Sequence, residues 1–143
     1  MTAPRLRGDG GAATTELVLV APALLFTILL TVQLGLYFHA ISVASAAAQE
    51  GAHDASLQGA TLADGEDTAR GLVQDLAPRL LAGVQVDGRY ANGGDHVRMT
   101  VAGQVSQVVT IPGVDLGIRV DETAETPVER FRPAGDVPGG GGP

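Results

Sequence analysis

Glu50 and His53 are the residues in this sequence whose types and spacing come closest to a chemical site. A spacing of three places both side chains on one face of a helix, as in carboxylate-bridged metal sites. Such sites need this motif from two helices together with further glutamates, and the sequence holds one copy. The other histidines, His39 and His96, are scattered along the chain. We therefore expect a solvated helix face here, with no metal and no cofactor.

Motifs for other chemistry are missing from the sequence. No serine stands in a Gly-x-Ser-x-Gly context, there is no cysteine, and the Gly-rich run at residues 8–11 lacks the Lys-Ser/Thr of a phosphate loop. The formal net charge is -7, which argues against nucleic acid as a partner because phosphate binding needs a basic patch. We expect a protein that is not an enzyme.

A long apolar run from Leu17 to Ile41 contains no charged residue. About 20 helical residues cross a bilayer, whereas the apolar region of a secretory signal is roughly 7–15 residues long. We predict a single-pass membrane helix; the alternative is a removed signal peptide, cleaved after Ala46 or Ala48. Arg5 and Arg7 precede the run, so the positive-inside rule places the N-terminus in the cytoplasm and the C-terminal part across the cytoplasmic membrane.

The helix is expected to continue beyond the membrane as far as about Ser56. Small residues recur in this extension at spacings of three and four, which places them on one helical face. They are Ala44, Ala47, Ala48, Gly51, Ala52 and Ala55. Such a stripe allows another helix to approach closely, or it reflects only the high helix propensity of alanine.

A single carboxylate, Glu16, directly precedes the apolar run. A glutamate at the edge of a span is costly without a partner, although the first turn of a helix also favours an acid. The basic leader that ends in Gly11, the Glu at the fifth position from Ala12 and the long apolar run resemble the class III signal peptide of the type IV pilin superfamily. Within it, residues 5–25 (RLRGDGGAATTELVLVAPALL) resemble the TadE-like pseudopilins of tight-adherence pilus systems.

Two further segments extend this resemblance. Residues 47–52 (AAQEGA) are similar to the family's Ala-Ala-Arg-Glu-Gly-Ala signature, and residues 126–131 (TPVERF) resemble actinobacterial members. The sequence departs from the family at Gln49, where arginine is common, and no basic residue adjoins Gly11.

The resemblance implies a pilin-like fold, proteolytic processing and assembly. A prepilin peptidase would cut between Gly11 and Ala12, and Glu16 would pair with the Ala12 ammonium of a neighbouring subunit, in a low-dielectric setting that strengthens the pair. Because an unpaired buried charge is costly, this pair would set the register between subunits. The implied partners are the peptidase, other pilins or pseudopilins, the membrane platform of the pilus and membrane lipid, with the protein oligomeric in the assembly.

Pro22 lies inside the predicted span. Its nitrogen cannot donate to the carbonyl of Val18, so we predict a helix kink at this position. In the family, such a weak point could help the helix to leave the bilayer during assembly.

The rest of the chain predicts an α+β fold with one helix and a three- to four-stranded antiparallel sheet. A polar linker at residues 57–68 leads into a helix that starts at Asp64, is kinked or restarted at Pro78, and stops at Gly83. Strands are predicted from Val84, on both sides of a turn at residues 92–95, up to residue 111 and over residues 116–124, with Asp87-Gly88 as an alternative hairpin turn.

The sequence thus divides into a prepilin-type leader (1–11), a transmembrane and extended helix (12–56), an exported α+β domain (57–132) and a disordered Gly/Pro tail (133–143). We interpret the chain as a minor pseudopilin, an assembly component of a tight-adherence type IV pilus, anchored in the membrane before incorporation. The alternatives are an unprocessed membrane-tethered interaction domain with no role in filaments, and a secreted protein released after Ala46 or Ala48.

Overall fold

The computed structural model describes residues 10–108 and 117–129, with side chains described from Glu16 onward. In chain order the elements are helix α1 (Gly10–Ser56), helix α2 (Leu62–Leu76), strand β1 (Leu81–Ala91), a 3-10 turn (Asn92–Gly94), strand β2 (His96–Val105) and strand β3 (Arg119–Pro127). Within these ranges a long apolar helix, a second helix and a three-stranded antiparallel sheet confirm the predicted α+β fold. The predicted leader before Gly10 and the Gly/Pro tail lie outside the described residues.

Helix α1 is 47 residues long, or about 70 Å at 1.5 Å per residue. It ends at Ser56, as predicted, and it begins at Gly10, shortly before the predicted start at residue 12. Its C-terminal half is the central helix of the folded domain, because the alanines on its inner face have almost no contact with solvent. These are Ala40, Ala44, Ala47, Ala48, Ala52 and Ala55, all between 0 % and 3 % exposed.

The sheet packs one face against α1 and α2. Alternate residues of β2 point into the core, as the sequence pattern predicts, and Val97, Met99 and Val101 are fully buried. The strands follow in the order β1-β2-β3, so β2 is the central strand. The large side chains of the core therefore come mainly from the sheet, while α1 contributes small ones.

The small-residue stripe of α1 receives another helix, and that helix is α2 of the same chain. A β-carbon added to Gly51 would lie 2.6 Å from the Gly65 carbonyl oxygen and 2.8 Å from the β-carbon of Ala69. Beside this contact the Thr68 hydroxyl donates a hydrogen bond to the Asp54 carboxylate at 2.6 Å. The stripe thus serves a close helix contact inside the domain, because only glycine and alanine permit backbones to approach this far.

Helix α2 begins earlier than the sequence predicted. Thr61 is its N-cap, and Asp64, predicted as the helix start, is the third helical residue. The two residues form a capping box: the Asp64 N–H donates to the Thr61 hydroxyl oxygen at 3.3 Å, and the Thr61 N–H donates to the Asp64 carboxylate at 2.8 Å. The predicted linker at 57–68 is therefore too long, because its second half is helical.

The end of α2 was also predicted wrongly. The helix stops at Leu76 with Ala77 as its C-cap, immediately before Pro78, because the residue before a proline is driven out of the helical conformation. Gly83, predicted as the helix stop, lies instead within β1, where the register shifts between Ala82 and Gln85.

The turn between β1 and β2 was predicted correctly at residues 92–95. Asn92 and Gly93 both have positive φ angles, 52° and 72°, which asparagine and glycine tolerate best. The alternative turn at Asp87-Gly88 is wrong, because both residues pair within the sheet, with Thr100 and Met99 respectively. The Gly88 N–H also donates to the Glu66 carboxylate of α2 at 2.9 Å, which ties that helix to the strand.

The last strand is displaced toward the C-terminus relative to the prediction. It runs from Arg119 to Pro127 and places Val120, 3 % exposed, in the core. The apolar segment around Val109 to Ile111, predicted as a strand, lies outside the described residues. After β3 the Glu129 N–H donates to the carbonyl oxygen of Ser56 at 2.9 Å, so the chain returns to the end of α1.

The capping box makes a pH-dependent contribution to stability. The hydroxyl of Thr61, and then its N–H, donate to the Asp64 carboxylate and hold the pKa of Asp64 below the ordinary aspartate value. Because this pKa is lowered in the folded state, the stabilisation is complete above the ordinary value, near pH 4, and is lost as the pH falls through the lowered pKa.

Replacing Thr61 with alanine should lower the free energy of unfolding by about 1 kcal/mol at neutral pH, because the helix loses its N-cap. The difference between the wild type and Thr61→Ala should become smaller as the pH falls below about 4. Urea unfolding followed by circular dichroism at several pH values measures both effects. A difference that stays constant down to acid pH would contradict a role for the Asp64 carboxylate.

Candidate functional site

The N-terminal half of α1 stands clear of the domain. Ten large apolar side chains between Leu17 and Val32 are 46–71 % exposed. Exposing so much apolar surface to water is unfavourable. Among the described residues, this helix is the one that is long and apolar enough to cross a membrane. Most of the run up to Val32 is exposed, with Leu29 half-buried, and from Gln33 onward, well before Ile41, the domain buries one side of the helix.

Three of the residues predicted to act in processing and assembly lie at the free end of this helix. Gly11 and Ala12 are in the first turns of α1, and Glu16 follows Ala12 by four residues, or about one helical turn. Glu16 is exposed. Its carboxylate is therefore accessible to a partner outside the domain.

Pro22 lies in the exposed part of α1, and the helix continues through it as a single element. Its ring nitrogen still leaves the carbonyl of Val18 without the usual helical donor. The kink at this position stays a prediction.

Glu50 and His53 are both exposed on α1, next to the domain. Among the described residues no three histidine, aspartate or glutamate side chains come together in a way that could hold a metal ion. The pair occupies the solvated helix face that the sequence suggested.

Gln33 marks the point where the bare half of α1 meets the domain. It is only 4 % exposed, and its side-chain oxygen accepts a hydrogen bond from the Val108 N–H at 2.8 Å. Its amide nitrogen is buried without a hydrogen-bond partner in the described part of the chain. Gln33 is absent from the site residues predicted from the sequence, although an amide inside a charge-free apolar run is a detectable signal.

An apolar groove of about 560 Å³ runs along the helix beside Gln33. Its walls come from one side of α1 and from the residues that lead into β3. The lining residues are Leu30, Gln33, Leu34, Tyr37, Ile118 and Arg119. Gln33, Tyr37 and Arg119 supply the only polar groups among these side chains.

The packing of α1 bears on the signal-peptide alternative. Ala47 and Ala48 are fully buried inside the domain, and so are Ala40 and Ala44 upstream of them. Cleavage after Ala46 would remove Ala40, Val43 and Ala44 from the core. The structure therefore favours a helix that is retained in the folded protein.

Comparison with known proteins bears on the same helix. The family model described as TadE-like protein matches residues 11–53, which lie entirely within α1. No curated protein and no solved structure matches the chain. The match includes Gly11, Ala12, Glu16 and the buried small-residue stripe as far as Ala52, and it stops before α2. Residues 11–53, which lie within α1, are therefore similar to the TadE-like family.

Proposed function

We propose that the protein is a minor pseudopilin, a non-enzymatic assembly component of a tight-adherence type IV pilus. The observation that carries the proposal is the TadE-like match over a helix whose first half is bare and apolar and whose second half forms the core of a domain. Such a helix can hold the domain at a membrane and later pack against the helices of other subunits.

In this proposal, the leader with Arg5 and Arg7 stays in the cytoplasm, and the α+β domain lies on the other side of the cytoplasmic membrane. A prepilin peptidase cuts between Gly11 and Ala12. The new Ala12 ammonium then pairs with Glu16 of a neighbouring subunit, because a carboxylate at the edge of an apolar span is costly without a partner.

The exposed position of Glu16 supports this pairing, since none of the described residues of the domain covers it. Buried ion pairs contribute modestly to net stability but are costly to break, so the pair would mainly select the correct stagger between helices. Pro22 would weaken the helix locally, six residues beyond Glu16, and ease its exit from the bilayer.

The N-terminal sequence of the mature protein, recovered from membranes of its native host, tests the proposal. We expect a start at Ala12, with Gly11→Val retaining the leader and Gly8→Val still being cut. A start at Met1 would favour an unprocessed membrane-tethered domain, and a start after Ala46 or Ala48 would show that the apolar run is a signal peptide.

A further inference from the structure

We propose that the groove beside Gln33 binds one phospholipid with an anionic headgroup. The acyl chain would lie against Leu30, Leu34 and Ile118, while the amide of Gln33 and the guanidinium of Arg119 would bind ester or phosphate oxygens. The inference rests on the membrane anchoring in the proposed function, but it needs neither processing at Gly11 nor assembly into a pilus.

The position of the groove along α1 matches the edge of a bilayer. Below it, the large apolar side chains from Leu17 to Ile28 are exposed, which suits the hydrocarbon core. Above it lie non-helical segments around Val108 and Gly117, whose backbone polar groups cannot face hydrocarbon. The groove therefore opens at the depth where lipid esters and phosphates lie.

The amide nitrogen of Gln33 supplies the first polar requirement. The side-chain oxygen is already used by the Val108 N–H, so the NH2 group is left as a buried donor without an acceptor in the described part of the chain. Such a donor is costly unless a ligand or water completes it. A lipid ester or phosphate oxygen is an acceptor that is abundant at this depth.

Arg119 supplies the positive charge. The salt bridges within the described ranges are made by Arg70 and Arg98, so Arg119 keeps its guanidinium available. Arginine binds phosphate through two parallel N–H donors, which makes it well suited to a phospholipid headgroup. The net charge of -7 over the whole chain disfavours anions, so an anionic lipid would bind because of this local site.

A second copy of the chain is the competing occupant. An apolar helix from another subunit could cover Leu30, Leu34 and Ile118 equally well. It would leave the Gln33 amide and the Arg119 guanidinium without acceptors unless a polar residue happened to face them. A phospholipid satisfies both the apolar walls and the two donors, and we therefore favour it.

The chain has no tryptophan and two tyrosines, which allows a matched test. Full-length Tyr37→Trp places a fluorophore in the groove, and Tyr90→Trp places one on an exposed strand position of the domain. Both are titrated in detergent micelles with phosphatidylglycerol brominated on its acyl chains. We expect saturable quenching at one lipid per chain for Tyr37→Trp and little quenching for Tyr90→Trp.

The binding residues are then changed in the Tyr37→Trp background. Arg119→Gln, at an exposed position, should raise the half-saturating lipid fraction about tenfold, since a charge-assisted hydrogen bond is lost. Gln33→Leu should weaken binding as well, with its folding checked by circular dichroism. Arg89→Gln, an exposed arginine on β1 away from the groove, should leave binding unchanged.

Three outcomes would overturn the lipid site. These are quenching that rises without saturation, quenching that Arg119→Gln leaves unchanged, and a fluorescence change that follows protein concentration instead of lipid. The last outcome would identify a second copy in the groove. Because the assay uses purified protein in detergent, these results do not depend on the N-terminal sequence that tests the proposed function.

Discussion

Replacing Gly65 with alanine is expected to lower the free energy of unfolding of the domain by about 3 kcal/mol, because it forces α2 away from α1. The added β-carbon would collide with the Gly51 carbonyl oxygen and lie 2.6 Å from the β-carbon of Ala55. Neither atom can rotate out of the way, since one is backbone and the other is attached directly to it. With typical domain stabilities of about 5–15 kcal/mol, such a loss is large.

Gly71→Ala is the matched control on the same helix. A β-carbon at Gly71 meets no atom within 4 Å, so the change should raise the stability by up to about 1 kcal/mol through helix propensity. Urea unfolding of the full chain in detergent, followed by circular dichroism, measures both variants. If Gly65→Ala proved as stable as Gly71→Ala, the close contact of α1 and α2 would not exist.

Replacing Glu16 with alanine is expected to reduce the amount of this protein in sheared pili at least tenfold. If the protein is processed and assembled as proposed, losing the carboxylate leaves the Ala12 ammonium of the neighbouring subunit unpaired in an apolar setting, which typically costs about 3–5 kcal/mol. Immunoblots of pilus and membrane fractions from the native host provide the measurement. The membrane fraction should still contain the protein, because the apolar run is intact.

Glu50→Ala is the control for this experiment, since Glu50 is an exposed glutamate on the same helix but beside the domain. It should leave the pilus fraction unchanged. The N-terminal sequence of the Glu16→Ala protein is determined in parallel, because a block of processing at Gly11 would also prevent assembly. Normal pili with Glu16→Ala would favour the membrane-tethered domain.

Local patterns predicted most of the elements correctly. The charge-free run and the alanines after it predicted α1 to its last residue, Ser56, because helix formation there depends on composition along one segment. Strand β2 followed from alternation between Val97 and Val105, and its preceding turn followed from Asn92-Gly93. The spacing of Thr61 and Asp64 also indicates the start of α2. The helix start was predicted at Asp64, however, instead of at its capping partner Thr61.

Other features depend on contacts between residues that are distant in the sequence. The partner of Gly51 is Gly65, and only the packed helices show that the alanine stripe serves a contact inside one chain. The strand position of Gly88 depends on pairing with β2 and on Glu66. The Asp-Gly dipeptide is a local turn signal and contains no information about pairing with β2 or about the contact with Glu66. The turn prediction was wrong because these distant contacts hold Gly88 in the strand.

The apolar helix, the carboxylate at its edge, the resemblance to TadE-like proteins and the α+β class were all predictable from the sequence. These depend on hydrophobicity, charge and spacing within short stretches of chain. The end of the exposed part of α1 and the contacts of Gln33 depend instead on how distant segments pack together. Its hydrogen-bond partner, Val108, is 75 residues away, and the groove that it shares with Arg119 forms only when the start of β3 packs against the helix.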